Sequence, residues 1–329
     1  MKAYVRAPYN EACLEELKTL FSEVVYEPWT VTGERYYEDE MLEHLRKEKP
    51  DVLITELDRV TEKVLNGYDG LKAIGDCRGT PANIDVEACT KHGIPILCTP
   101  GRNNQAVAEM VVAGMLAFER KLIPAVEWAK DGKWVAGTTP YFLWMGHELM
   151  GKKVGIIGYG RIGRIVARIL AAFDCEVSFY DPFVEGDQDG FRNISMEELF
   201  RESDIITIHV PVLDSTKGIV TRELLNSMKP TALFVNAARS VMVDCDALYD
   251  VLKEKKIAGA VIDVLDNEPP ETEKDTRFLE LDNVLLMPHI CGASFEVTDH
   301  QSRILNEGLK AWVDGGDYSR ILFNKELSK

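Results

Sequence analysis

"VGIIGYGRIGRIVARILAAF", residues 154–173, sets three glycines, Gly158, Gly160 and Gly163, between a β-branched run and an amphipathic helical pattern. In a βαβ unit the first glycine of such a set permits a tight turn and the second lets the backbone approach a pyrophosphate. The third lets the helix pack closely on the strand. The helix N-terminus adds N–H groups and the positive end of its dipole. The next strand-like run, "EVSFYD", ends in Asp181, an acid placed to accept hydrogen bonds from an adenosine ribose. Its charge repels a 2′-phosphate, and the following "PFV" brings no Arg or Lys to hold one. The stretch therefore predicts a dinucleotide site that takes NAD(H) in preference to NADP(H). Two readings of Arg161 stay open, a phosphate contact through the side chain or through the backbone N–H alone.

Outward from this stretch the chain alternates β-branched runs with helical patterns, the signature of parallel α/β structure. Before residue 100, "AYV", "EVVYE", "DVLIT", "LKAIG" and "IPILCT" read as strands separated by helices. A long apolar helix follows, "AVAEMVVAGMLAFERKL", and then an aromatic-rich loop, "GKWVAGTTPYFLWMGHELMG". A second strand series begins at Lys153: "KVGIIG", "EVSFYD", "DIITIHV", "ALFVNAA", "GAVIDV" and "NVLLMPH". The last helix, "FEVTDHQSRILNEGLKAWVDG", has no strand after it and is expected to pack back on the first unit. The fold expected is two doubly wound α/β domains, residues 101–291 being inserted between 1–100 and 292–329, with a ligand cleft between them.

Bulk properties narrow the function. The 329 residues carry a formal net charge of −16, which disfavours nucleic acid or an anionic membrane as partner. No apolar run reaches membrane-spanning length. "MKAYVRAPYN" lacks the pattern of a secretory signal. Seven cysteines without C-x-x-C spacing argue against a disulfide framework or a metal site and suit the cytoplasm.

Chemistry in a doubly wound sheet sits at the carboxyl ends of the strands. There the sequence offers Arg239 after "LFVNAA", Asp263 and Glu268 in "AVIDVLDNEPP", and His289 after "VLLMP". An arginine grips a carboxylate in bidentate fashion. A histidine exchanges protons near neutral pH, and a glutamate beside it fixes its tautomer. His209, at another strand end, is placed to line a cofactor cleft without doing chemistry.

These segments together resemble the D-2-hydroxyacid dehydrogenase family. The resemblance runs through "RGTPANIDVEACTKHGIPILCTPGRN", "AVAEM", "GHELMGKKVGIIGYGRIG", "YDP", "IHVPVLDSTKGI", "MKPTALFVNAARS", "GAVIDVLDNEPP" and "NVLLMPHICGAS", in the family's order. It implies two Rossmann-like domains, the cofactor domain inserted into a flavodoxin-like substrate domain. It implies hydride transfer between NAD(H) and C2 of a small 2-hydroxy or 2-oxo acid, with Arg239, Glu268 and His289 catalytic. The cofactor set it implies is Gly158, Gly160, Arg161, Ile162, Gly163, Asp181, His209, Pro211, Thr216, Ala237, Asp263, His289 and Gly292, Asp263 matching the position that holds the nicotinamide carboxamide. For the substrate it implies Arg78, Gly79, Thr80 and Asn103 with Arg239 and His289, and as assembly a homodimer through the cofactor domain. Narrower readings are a 3-phosphoglycerate dehydrogenase and a glyoxylate or hydroxypyruvate reductase. An NAD(H)-sensing co-repressor-like binding protein is the reading from another class.

The chain departs from the family pattern at "CRGTPANID", where a glycine-rich form is usual. Arg78 there adds a second arginine to Arg239, more positive charge than a monocarboxylate needs. It is expected either to pair with Asp76 or Asp85, or to contact a polar or anionic far end of the substrate. The aromatics of "TTPYFLWM" are expected at a dimer interface; Tyr141 or Trp144 can also shape a neighbour's pocket.

Overall fold

A computed structural model describes residues 1–328. The chain forms two units, Met1–Asn103 joined by the segment from Ser294 onward, and Asn104–Ala293. The first unit holds five parallel strands: β1 (Lys2–Val5), β2 (Glu23–Tyr26), β3 (Val52–Thr55), β4 (Ala73–Asp76) and β5 (Ile96–Cys98). Their order is β2-β1-β3-β4-β5, the flavodoxin-like arrangement. Strand side chains alternate between two apolar cores, Ala3, Val5, Val52 and Ile54 on one face, Tyr4, Leu53 and Ile74 on the other. The helices Glu11–Leu20 and Glu296–Asp314 cover the first face through Leu17, Leu305 and Leu309. Asn306 ties the long helix down: its Nδ2 donates to the Cys13 carbonyl at 2.9 Å, and its Oδ1 accepts from the Tyr9 hydroxyl at 2.7 Å.

The second unit holds seven parallel strands: β6 (Lys153–Ile157), β7 (Glu176–Tyr180), β8 (Arg192–Asn193), β9 (Ile205–Ile208), β10 (Leu233–Asn236), β11 (Gly259–Ile262) and β12 (Val284–Leu286). Their order is β12-β11-β10-β9-β6-β7-β8. Every residue of β9, β10 and β11 is buried, because helices cover both faces of the sheet. The order reverses at β6, which pairs with β7 on one side and β9 on the other. At such a switch point the loops diverge and leave a crevice beyond the strand ends.

Two local expectations need correction. The long apolar helix does not run through Leu122: it ends at Glu119, and a new helix spans Leu122–Lys130. Lys121 takes a left-handed conformation, φ 50°, which breaks the hydrogen-bond ladder, and Pro124 falls in the first turn of the new helix where a missing N–H is harmless. The aromatic stretch is not all loop, since Thr139–Leu143 is a short helix with Pro140 in its first turn. The short strand Arg192–Asn193 has no counterpart in the sequence pattern; two residues are too few to show a period.

Candidate active site

The glycine loop leaves β6 with Gly158 at φ +92°, a region side chains avoid; a Cβ there would lie 2.6 Å from the His209 carbonyl oxygen. At Gly163 a Cβ would come within 2.2 Å of the Gly158 carbonyl oxygen, so the helix packs on the loop at glycine distance. Gly160 precedes the helix Arg161–Ala171, and a Cβ on it would meet nothing within 4 Å. The approach to that helix N-terminus is therefore lined by bare backbone, which suits a pyrophosphate. Asp181 stands at the end of β7 with its carboxylate fixed: Oδ2 accepts the Tyr159 N–H and Oδ1 the Phe183 N–H, both at 2.9 Å. Ile162 packs against the core beneath the loop.

Next to β6, strand β9 ends at Ile208, and burial pushes the His209 imidazole down to about 4, so the ring is neutral at physiological pH. Its Nε2 sits 3.0 Å from the Thr207 hydroxyl. Pro211 is exposed in the loop that follows. The Thr216 hydroxyl turns inward, donating to the Pro211 carbonyl at 2.6 Å and accepting the Leu213 N–H at 2.8 Å, so it staples this loop.

Ala237 and Arg239 follow β10. The buried Asn236 brackets their turn: Oδ1 accepts the Ala238 N–H at 3.0 Å and Nδ2 donates to the Arg239 carbonyl at 3.1 Å. The Arg239 side chain is exposed and donates through Nη1 to the Ala238 carbonyl at 2.6 Å, with donors left to meet a carboxylate. Sequence reasoning missed Asn236, because only the turn geometry brings its amide onto that backbone.

Glu268 and His289 meet. His289 Nδ1 lies 2.5 Å from Glu268 Oε2, while Glu268 Oε1 accepts the Leu265 N–H at 3.0 Å. An ionised carboxylate only accepts, so in this contact Nδ1 is the ring nitrogen that carries the proton, and Nε2 is the one left without a part in it. Beside the pair lies a cavity of about 370 Å³ with an apolar lining that includes Leu265, Pro269, Leu279, Leu286 and Met287. His289 has φ 54°, uncommon for a residue with a side chain. Asp263, at the end of β11 and 2% exposed, holds the backbone just past it: Oδ1 accepts the Ile290 N–H at 2.8 Å and Oδ2 the Cys291 N–H at 2.9 Å. The structure thus gives Asp263 a bracing role that the sequence pattern does not carry. Gly292 follows, half-buried.

In the first unit, Arg78, Gly79 and Thr80 form the loop after β4. The Arg78 carbonyl accepts the Thr99 N–H at 2.8 Å, and a Cβ on Gly79 would find only Pro100 Cα, at 3.7 Å. Gly79 and Thr80 are exposed. Asn103 is half-buried just ahead of the helix Asn104–Glu119. Arg78 pairs with neither Asp76 nor Asp85. The Asp85 carboxylate instead caps a helix by accepting the Ala88 N–H at 2.9 Å. Both Asp76 carboxyl oxygens are buried without a hydrogen-bond partner. Beside this loop, Arg102 pairs with Glu56 at 2.5 Å and also donates to Gln301, a cluster that sequence reasoning missed as well.

Residues 112–291 match the family model described as D-isomer specific 2-hydroxyacid dehydrogenase, NAD binding domain. The chain is 44% identical over 331 residues to the Bacillus subtilis (strain 168) protein YoaD, covering 100% of this chain and 96% of that one. It is 35% identical over 335 residues to the glyoxylate reductase of Thermofilum pendens (strain DSM 2475 / Hrk 5), covering 100% and 96%. Among solved structures, that of the TT0316 protein from Thermus thermophilus superposes with a TM-score of 0.81 at 29% identity, covering 96% of this chain and 98% of that one. The chain belongs to the D-2-hydroxyacid dehydrogenases.

As a D-2-hydroxyacid dehydrogenase the protein is an enzyme that binds a nicotinamide cofactor and oxidises or reduces a hydroxy or oxo acid. When bound, the nicotinamide gives or takes the hydride. The open space at Gly160 leaves room for the cofactor's phosphates, which the loop there would hold, and the Asp181 carboxylate would hold its ribose. Among the described residues, no cluster of three or more His, Cys, Asp or Glu is placed to hold a metal ion, and no helix is long and apolar enough to cross a membrane.

Proposed function

We propose that the protein is an NAD(H)-preferring dehydrogenase of small D-2-hydroxy acids, acting in the cytoplasm, with His289 as general acid and base. The observation that carries the reading is the Glu268–His289 contact, which leaves Nε2 as the proton-exchanging atom. In the reducing direction His289 gives a proton to the forming alkoxide. Arg239 holds the substrate carboxylate and polarises the carbonyl. Gly79 and Thr80 are exposed in the first unit, which supports reading their backbone N–H groups as donors for a carboxylate and that unit as the substrate unit. The name of the Thermofilum pendens relative, glyoxylate reductase, supports a short 2-oxo acid. The test is NADH oxidation by the purified protein with a panel of 2-oxo acids. Turnover of none of them would overturn the reading.

Preference for NAD(H) rests on the fixed carboxylate of Asp181, beside which a 2′-phosphate would place a second negative group. Asp181→Ala is expected to raise the NADPH-to-NADH ratio of kcat/KM by roughly ten- to hundredfold, the worth of about 1.4–2.8 kcal/mol. Equal efficiency of the native protein with both cofactors would refute this assignment.

We propose further that the protein is a homodimer. Apolar side chains crowd the surface of one segment: Leu122 is 53% exposed, Trp134 72%, Tyr141 69% and Phe142 65%. A run of this kind marks an interaction surface. The chain mass is 37.0 kDa, and light scattering is expected to give about twice that. Tyr141→Glu combined with Phe142→Glu is expected to yield monomer; a wild-type monomer at micromolar concentration would refute the dimer.

A further inference from the structure

We infer that the loop Asp76–Thr80 selects acids that carry a second anionic group, with Arg78 as the ligand of that group and the buried Asp76 carboxyl as its internal competitor. The inference rests on the dehydrogenase reading above and adds the substrate class.

Arg78 is half-buried, and its guanidinium makes no hydrogen bond or ion pair among the described residues. Arginines held in a fold for structure are normally spent. Arg102 is bound to Glu56 and Gln301, and Arg6 donates to the carbonyls of Glu27 and Glu34 and pairs with Asp58. Arg78 keeps its five donors on a loop whose neighbours Gly79 and Thr80 are exposed. In a chain of net charge −16 a free guanidinium at a strand's carboxyl end calls for an anion.

Asp76, the last residue of β4, is 0% exposed, and neither oxygen has a partner. The groups that face it are Glu56 after β3, Cys77 and Arg78 on its own loop, Asn83, Cys98 on β5 and Arg102 after β5. Burial pushes its carboxyl up to about 8 against the pull of the two arginines. At neutral pH the group is therefore protonated, and Arg78 keeps its full charge for a ligand. Above that range Asp76 ionises and draws on the same guanidinium. A second carboxylate or a phosphate on the substrate then competes with an anion built into the fold, whereas an acid with one carboxylate does not use this contact.

The experiment compares the reduction of glyoxylate, with one carboxylate, and oxaloacetate, with two, by the wild type, Arg78→Ala and Asp76→Asn. Rates are taken between about pH 6.5 and pH 9.5. Arg78→Ala is expected to lower kcat/KM for oxaloacetate by roughly ten- to hundredfold more than for glyoxylate. The wild-type KM for oxaloacetate is expected to climb above about pH 8, and Asp76→Asn to flatten that climb. Equal losses for both acids, or none, would overturn the role of Arg78. A wild-type pH profile in Asp76→Asn would overturn the role of Asp76. Stability supplies a second readout of Asp76. Its folded value is raised, so folding loses free energy as pH rises from the unfolded carboxyl range to about 8. Asp76→Asn is expected to lack that loss, and melting of both proteins across this range shows it. Should the wild type reduce no oxo acid, the dehydrogenase reading falls. Calorimetric binding of malonate to wild type and Arg78→Ala then decides the present inference, equal affinity counting against it.

Discussion

His289→Ala is expected to lower turnover by roughly 10²–10⁴-fold while the protein still binds NADH. The variant removes the ring whose Nε2 is left to exchange a proton, and leaves the glycine loop at Gly158–Gly163 and the Asp181 carboxylate in place. Quenching of intrinsic fluorescence by NADH and steady-state rates on glyoxylate together read the two halves. Turnover near the wild-type level would remove His289 from the proton-transfer role. Glu268→Gln keeps the side chain's size and can still accept from Nδ1 through its carbonyl oxygen, but its amide NH2 can occupy that place instead, so the tautomer is no longer fixed. Its loss is expected to be smaller, roughly tenfold, and to fall on kcat more than on KM.

The second large effect is expected at Asp263. Its two carboxylate oxygens accept the N–H groups of Ile290 and Cys291, and Cys291 is buried. Asp263→Asn puts an NH2 group against one of those donors. A buried donor left unpaired costs about 1–3 kcal/mol, or a fall of roughly 2–10 °C in the melting temperature of a domain this size. The same brace sits one residue past His289, whose φ of 54° needs neighbours to hold it. A displacement of the imidazole of about 1 Å is enough to cost roughly a hundredfold in rate. Melting without cofactor separates the two parts Asp263 can play. If it serves only as a ligand of the nicotinamide carboxamide, Asp263→Asn melts like the wild type in the absence of NADH, and the bracing role falls.

Asp263 and His289 also show what kind of information the chain carries openly. Both are visible as polar residues at strand ends, because a parallel sheet delivers its chemistry there and the strands themselves are short apolar runs. Local periodicity encodes such elements: alternate residues of β1, β3 and β4 feed opposite cores, and the helix Arg161–Ala171 presents Val166, Ala167 and Leu170 to the sheet at helical spacing. The glycine loop is legible for the same reason. Its constraints act within a few residues, Gly163 against Gly158 being the tightest.

Sequence by itself thus determined the parallel α/β class, the use of a nicotinamide cofactor and the strand ends that bear Arg239, Glu268 and His289. The tertiary structure decided how those residues are held. The Asp263 carboxylate reaches backbone 27 residues away, Arg102 reaches Gln301 across 199 residues, and Asn236 folds back onto the carbonyl of Arg239. It also decided that Asp76 is buried without a partner while Arg78 is left unspent. Periodic patterns register which face of an element is apolar, a property of near neighbours in the chain. Hydrogen bonds between strand-end loops depend on which strands the sheet order makes adjacent, and that order is settled only when the whole sheet closes its two cores.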